Sequence, residues 1–301
     1  MTDSPDSVSL DYPGGNAQFP IVRSVDGASS IDFSSLSKQT GYNALDHGFV
    51  NTAATSSGIT FIDGDQGILR YRGYSIDDVA ENSTFLEVAW LLIYGELPSR
   101  DELHEFDDRI RHHTLLHEDL KRLFDALPHN AHPISVLSSA VSAMSTYYGD
   151  SLSVHDPEQI ELSTIRLLAK LPVIAAYAHK KSIGQALLYP DNSRGFVENF
   201  LWLNFGLRAE PYVANPVLIK ALDRLLILHE DHEQNASTST VRMVGSTEAK
   251  LFASVSAGIN ALSGPLHGGA NEAVLSMLAE IKESGEGVHR FVERVKRKED
   301  G

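Results

Sequence analysis

Apolar residues change their spacing along this chain, and each spacing predicts an element. In residues 1–50 two short runs, "SVSLDY" and "FPIVRS", alternate apolar and polar positions in a background rich in Gly, Ser and Asp, which suits a few short strands. Next, "ITFIDGDQGILRYRG" (59–73) sets β-forming residues on both sides of Asp63-Gly64-Asp65-Gln66-Gly67, the chemistry of a hairpin turn that needs positive φ. From Tyr74 onward helical punctuation takes over. In "STFLEVAWLLIYGELP", Ser83 or Thr84 is the N-cap, Glu87 lies in the first turn, and Gly95 then Pro98 form the stop. Pro133 opens "HPISVLSSAVSAMSTYYGD", whose small residues let neighbouring helices approach. "DPEQIELSTIRLLAKLPVIAAYAHKK" reads as one long helix that Pro172 should kink. "NPVLIKALDRLLILHEDHE" starts at Asn215-Pro216 and carries Leu218, Leu222, Leu225, Leu226 and Leu228 at helical spacing. "STEAKLFASVSAGINALSG", "NEAVLSMLAEIKESG" and "EGVHRFVERVKRKEDG" complete the series, with no fixed-period repeat and no low-complexity tract. Strands and helices do not alternate as a parallel sheet requires, so the expected class is mainly α: a large helical domain behind a small β-type lead-in over residues 1–50.

Composition narrows the partners. With 301 residues, 42% of them hydrophobic, the chain can bury a sizeable core. A net charge of −15 would repel a phosphate backbone, so neither nucleic acid nor an anionic membrane surface is an expected partner, while small anions that respond to local fields remain possible ligands. Cysteine is absent, which removes disulfides and thiolate metal sites. "MTDSPDSVSLDYPGG" has neither a basic leader nor an apolar core, and the most apolar window is broken by Lys170 and Pro172; a cytoplasmic protein is the expectation.

The candidate chemistry sits in two clusters. "LILHEDHEQNASTSTVR" (226–242) runs from an apolar helix straight into His229, Glu230, Asp231, His232 and Glu233. On a continuing helix His229 and His232 share a face, with Glu233 beside them. Such a cluster can be an ordinary solvated helix end, and two imidazoles with a carboxylate can hold a metal, although HxxH lacks the i, i+4 spacing of helical zinc motifs; no metal is expected. The second cluster, "NALSGPLHGGANEAVL", sets His267 between Gly264-Pro265 and Gly268-Gly269, just before a helix starting near Ala270 to Glu272. Gly-Pro and Gly-Gly can mark nothing more than a tight turn. Flanking glycines also let a ligand reach the imidazole and the bare backbone N–H groups, and a ring at the positive end of a helix dipole is suited to act uncharged, donating a hydrogen bond to a carbonyl that becomes an enolate.

Taken together, "LHEDHEQNASTSTVR", "SGPLHGGANEAV", "IDGDQGILRYRGYSI" and "LLIYGELP" resemble citrate synthase of the bacterial type with a β-rich N-terminal extension, continuously from about residue 7 to the end. The resemblance implies a two-domain, mostly α fold, divided here into an extension (1–50), part of the large helical domain (51–278) and the start of the small domain (279–301). It implies a homo-oligomer, a dimer foremost, that condenses acetyl-CoA with oxaloacetate to citrate and CoA, the entry step of the tricarboxylic acid cycle. No cofactor is implied, since acetyl-CoA is a substrate. Carried over residue by residue, His267 is the catalytic group that stabilises the enol or enolate of the thioester, and Leu266 and Gly268 offer backbone contacts to the acyl-CoA. His232 and His229 bind oxaloacetate; Asn235 and Arg242 join that substrate site. Ser237, with Asn235, is expected to orient His267, and Glu230, Asp231 and Glu233 to tune or orient the histidines.

The family pattern continues beyond "VKRKEDG" into a "GFGHR" motif, further arginines and an Asp that acts as base. The 301 residues alone are therefore expected to be inactive or impaired. Two alternatives share the features above: 2-methylcitrate synthase, which accepts propionyl-CoA, and a noncatalytic helical dimerisation or binding fragment. "RIRHHTLLHEDL", with Arg166 and Lys170, lies where NADH contacts form in some such enzymes, but His112 stands before His113-Thr114 where the NADH-sensitive pattern has Arg, so NADH control is not expected. His129, His132 and His179 are expected as capping or solvated groups.

Overall fold

The computed structural model describes residues 6–25, 28–149, 152–285 and 287–297. Strands β1 (Ser7–Tyr12), β2 (Gly15–Val22) and β3 (Ser30–Ile31) form one antiparallel sheet, with α1 (Leu36–Thr40) closing a small cluster of Ala17, Phe19 and Leu36 beneath it. A second antiparallel sheet contains β4 (Thr60–Asp63), β5 (Ile68–Tyr71) and β6 (Tyr74–Ser75). Its first turn is the one read from sequence: the Asp63 carboxylate accepts the amides of Asp65 and Gln66, both at 3.0 Å, and Gly67 has φ +67. The second turn, between Tyr71 and Tyr74, sets Arg72 at φ 50 and Gly73 at φ 92, both in the left-handed region that a two-residue hairpin demands. Arginine rarely adopts that conformation; here its Nη2 donates to Leu92 O at 2.7 Å.

Helices follow: α2 (Ile76–Asn82), α3 (Phe85–Tyr94), α4 (Arg100–His112), α5 (Glu118–Ala126), α6 (Pro133–Met144), α7 (Pro157–Ser182), α8 (Phe196–Phe205), α9 (Pro216–Leu228), α10 (Ala236–Gly245), α11 (Leu251–Leu262), α12 (Gly269–Ser284) and α13 (Val288–Lys296). Most start where the caps put them. Thr84 caps α3 in a full capping box: its Oγ1 accepts the Glu87 amide at 3.4 Å, and Glu87 Oε2 accepts the Thr84 amide at 2.7 Å. Thr84→Ala is expected to cost about 1 kcal/mol, read as a lower urea midpoint with an unchanged m-value. α7 is the one long helix expected, running through Pro172. One boundary differs from expectation. α11 begins at Leu251 rather than near Ser246, because residues 246–248 form a turn in which Glu248 has φ 63 and Lys250 is extended at ψ 148.

The main core joins α5, α6, α7, α8 and α11 around Phe124, Tyr177 and Phe252, each at most 2% exposed. Where α6 meets α11 the contact is made by small polar residues, Ser138 Oγ and Ser256 Oγ lying 3.0 Å apart, and each hydroxyl also reaches the other residue's carbonyl, at 3.2 and 2.9 Å. A separate cluster of Tyr71, Val79, Val88, Leu91 and Ile227 fastens the β4–β6 sheet to α2, α3 and the end of α9. It fixes the ground on which the first histidine cluster stands.

Candidate active site

The apolar stripe of α9 ends at Leu228, and His229 is its C-cap, at φ −111 and ψ 7. Residues 229–235 are a loop rather than the continuing helix that the spacing suggests, so the shared helical face of His229, His232 and Glu233 does not form. Once a chain leaves its helix, i, i+3 and i+4 neighbours no longer point together. His229 Nδ1 donates to Leu225 O at 2.7 Å, which fixes its tautomer, and His229 and His232 are both exposed.

The acidic neighbours do not orient the histidines as expected. Glu233, at φ 54, turns away and its Oε1 accepts the Ile62 amide of β4 at 3.0 Å. Asp231 Oδ2 accepts the Glu233 amide at 3.2 Å. The buried phenol of Tyr71 lies 3.2 Å from Ile227 O and 3.0 Å from Asp231 O, and it accepts the Asp231 amide at 3.3 Å. Both carboxyl oxygens of Glu230 are buried without a hydrogen-bond partner, and burial, helped by the charges of Asp223 and Asp231, pushes this carboxyl up to about 9. Sequence reasoning missed Tyr71, since nothing in a local motif signals a contact spanning more than 150 residues; Glu230 it grouped with the acids expected to act on the histidines, not as a buried carboxyl without a partner.

From this loop the chain enters α10 at Asn235. Its Oδ1 accepts the Thr238 amide at 3.0 Å, the N-cap bond, and its Nδ2 donates to His232 O at 3.4 Å. Asn235 does not touch His267; its side chain sets the first turn that carries Ser237. Ser237 does touch His267, with Oγ 2.8 Å from His267 Nε2 and 3.0 Å from Gly258 O of α11. Among the described residues it is the one side chain hydrogen-bonded to that half-buried ring, and Nδ1 is left open. Arg242 lies farther along α10, exposed, where Nη2 donates to Thr55 Oγ1 at 2.9 Å.

His267 sits in a bend between α11 and α12. Its amide donates to Gly264 O at 3.0 Å, as does that of Gly269 at 3.1 Å, while the amides of Leu266 and Gly268 take no partner in the bend's hydrogen bonds. Leu266 is fully exposed. A ligand in front of this bend would meet an open imidazole nitrogen, two unused backbone donors and the first turn of α12, a set of donors that suits a developing oxyanion. No group of three or more metal-ligating side chains exists among the described residues.

Elsewhere, a cleft of about 760 Å³ opens between α2, α4, α8 and α9 and contains none of the sequence-predicted site residues; Arg100, Lys220 and Arg224 line it together with Glu81, Asp107 and Glu198. Lys170 is buried, with Nζ donating to the carbonyls of His113 and Leu115, and Arg166 stacks over the Tyr148 ring at 4.1 Å. His132 caps α6 and reaches Glu272 of α12 at 3.1 Å. No helix among the described residues is long and apolar enough to cross a membrane.

Comparison with known proteins identifies the family. The family described as "Citrate synthase, C-terminal domain" matches residues 48–301. The chain is 62% identical to citrate synthase 1 of Mycobacterium tuberculosis over 301 residues, which are all of this chain and 70% of that protein. It is 54% identical to the citrate synthase of Corynebacterium glutamicum over 293 residues, 97% of this chain and 67% of the relative. Among solved structures, citrate synthase from the archaeon Thermoplasma acidophilum, in a ternary complex with carboxymethyl coenzyme A and oxaloacetate, superposes with a TM-score of 0.77 at 26% identity; the match covers 85% of this chain and 66% of that one.

Proposed function

Because the chain belongs to the citrate synthase family, we propose that its two histidine clusters take part in condensing oxaloacetate with acetyl-CoA to give citrate and CoA, the entry step of the tricarboxylic acid cycle. The observation that carries this reading is the 2.8 Å contact between Ser237 Oγ and His267 Nε2, made at a bend whose Leu266 and Gly268 amides are unused. A serine has one proton to give. Directed at Gly258 O, it leaves Ser237 to accept from Nε2–H, and a neutral ring then presents only a lone pair at Nδ1. Directed at Nε2, it leaves the hydrogen on Nδ1, where the ring can donate to a thioester carbonyl oxygen as the methyl group loses its proton. The second arrangement is the productive one, and Leu266 and Gly268 supply further donors to the acyl-CoA.

A thioester methyl is a weak carbon acid, so stabilising the enolate oxygen and removing the proton are separate tasks. His267 serves the first. His229 and His232, exposed on their loop, serve the dianion oxaloacetate, with Asn235 holding the loop to α10 and Arg242 adding positive charge. No carboxylate is hydrogen-bonded to His267 among the described residues, so removal of the methyl proton falls to a group other than a partner of that ring. Closure of a small domain, beginning near residue 279, over residues 51–278 belongs to the same reading, as do a cytoplasmic location, a homodimer and the absence of a cofactor.

CoA release from acetyl-CoA plus oxaloacetate tests the function, with propionyl-CoA in the parallel arm; faster turnover of propionyl-CoA would replace it by methylcitrate synthesis. Ser237→Ala is expected to lower turnover about tenfold, the worth of one hydrogen bond that fixes the tautomer, with little change in the KM for oxaloacetate. Unchanged turnover in that variant would remove Ser237 from the mechanism.

A further inference from the structure

Strain and unmet hydrogen bonding collect along one seam, where the β4–β5 hairpin and its Arg72 corner meet the 229–235 loop. Five buried side-chain polar atoms on these two segments have no hydrogen-bond partner: Thr60 Oγ1, Arg72 Nε, Gln234 Oε1 and both oxygens of Glu230. The same segments hold two non-glycine residues in the left-handed region, Arg72 at φ 50 and Glu233 at φ 54. Buried polar groups normally find partners, and strained backbone persists only where its surroundings enforce it, so the two together mark a contact held short of its most stable arrangement. What the seam positions is the loop bearing His229 and His232.

We propose that Glu230 is a positioning residue, whose carboxyl under the 229–235 loop governs how firmly that loop, with His229 and His232, is held against the hairpin. Its relevance to substrate rests on the reading of these histidines as oxaloacetate ligands. The groups around it are all acids: Asp223 from α9, which accepts the Phe85 amide at 3.2 Å and feels Glu87 of α3; Asp231 from the loop itself; and the Tyr71 phenol from β5. Arg72, next on the hairpin, directs Nη2 to Leu92 O. Among the described residues no cation contributes to the titration of Glu230, so the docked loop carries the carboxyl neutral.

The sign follows from linkage. In the docked loop the carboxyl titrates at about 9, and once the loop lifts into water it returns to the ordinary 4.5. Docking is therefore undiminished below about pH 4.5, where both forms are protonated. It weakens by about tenfold per pH unit as pH rises toward 9, because the lifted loop is ionised and the docked one is not. Above that value it changes no further.

Amide exchange reads this directly. The Ile62 amide is bonded to Glu233 Oε1 and the Asp231 amide to the Tyr71 phenol, so both report the docked loop. In the 301-residue protein their protection factors are expected to fall by about tenfold per pH unit between about pH 5 and pH 9. Glu230→Gln, a neutral isostere, is expected to abolish that slope; Glu230→Ala, read the same way, serves if the glutamine variant does not fold. Equal slopes in wild type and variant, or no slope in wild type, would overturn the proposal. Saturating oxaloacetate is expected to raise the same two protection factors, and binding that leaves them unchanged would refute the positioning role. Failure of oxaloacetate to bind at any pH would instead sink the substrate reading, while the slope still decides the role of Glu230.

Discussion

His267→Ala is expected to lower turnover about 10²–10³-fold, the usual consequence of removing one donor to a developing oxyanion. The reason is local. Ser237, hydrogen-bonded to the ring, keeps Gly258 O as a partner at 3.0 Å once the imidazole is gone. No orphaned polar group is created, and the ring is only half-buried, so unfolding midpoints are expected to move little. The KM for oxaloacetate is also expected to hold, since His229 and His232 lie on a different segment. A drop in kcat with stability and oxaloacetate KM intact separates loss of a chemical group from loss of structure. Wild-type turnover in this variant would remove the enolate-stabilising role altogether.

Gly268→Ala is the second large expectation, and its cause is space. Gly268 has φ −64, a conformation open to any residue. A Cβ placed there would lie 2.5 Å from Leu262 O and 2.6 Å from Leu262 Cδ1, and a backbone oxygen at the end of α11 cannot swing aside like a flexible side chain. The bend must open, carrying His267 away from Ser237 and the Leu266 and Gly268 amides out of line. Overpacking of this kind costs about 1–3 kcal/mol, and displacing a reacting group by about 1 Å costs about 10²-fold in rate. Gly285→Ala makes the contrasting case: with φ +64 and nothing within 4 Å of the new methyl, it is expected to cost about 1 kcal/mol through backbone strain alone and to leave turnover unchanged. Equal effects of the two substitutions on turnover would show that the contact with Leu262 does not matter.

Much of the fold was legible because caps and turns are local chemistry. Thr84 with Glu87, Asn215-Pro216, His132-Pro133, and the Asp63 turn each satisfy orphan backbone groups within a few residues, so sequence reveals them. The His267 bend was legible for a similar reason, since paired Gly-Pro and Gly-Gly leave few other conformations. The acidic residues after Leu228 were misread. Their spacing invited a helix, and a capping His229 ended it; where a side chain points beyond a C-cap depends on what lies opposite, here Ile62 and Tyr71. The Ser237–His267 contact was anticipated from the polar run after His232, whereas the same reading gave Asn235 a share in it, and its amide instead caps α10.

The small residues on α11 have a consequence for how this protein can change. Ser256 faces Ser138 of α6, and Gly258, two residues on and so on the opposite side of the helix, leaves room for Val241 and the Ser237 carbonyl of α10; a methyl there would come within 2.6 Å of Val241 Cγ2. α11 thus acts as a spacer of fixed thickness between the hydrophobic interior and the imidazole. A substitution that enlarges either face would be felt at the chemistry, and one that filled the interior better would shift the serine beneath the ring. The packing of the interior and the placement of the imidazole therefore hang on the same thickness.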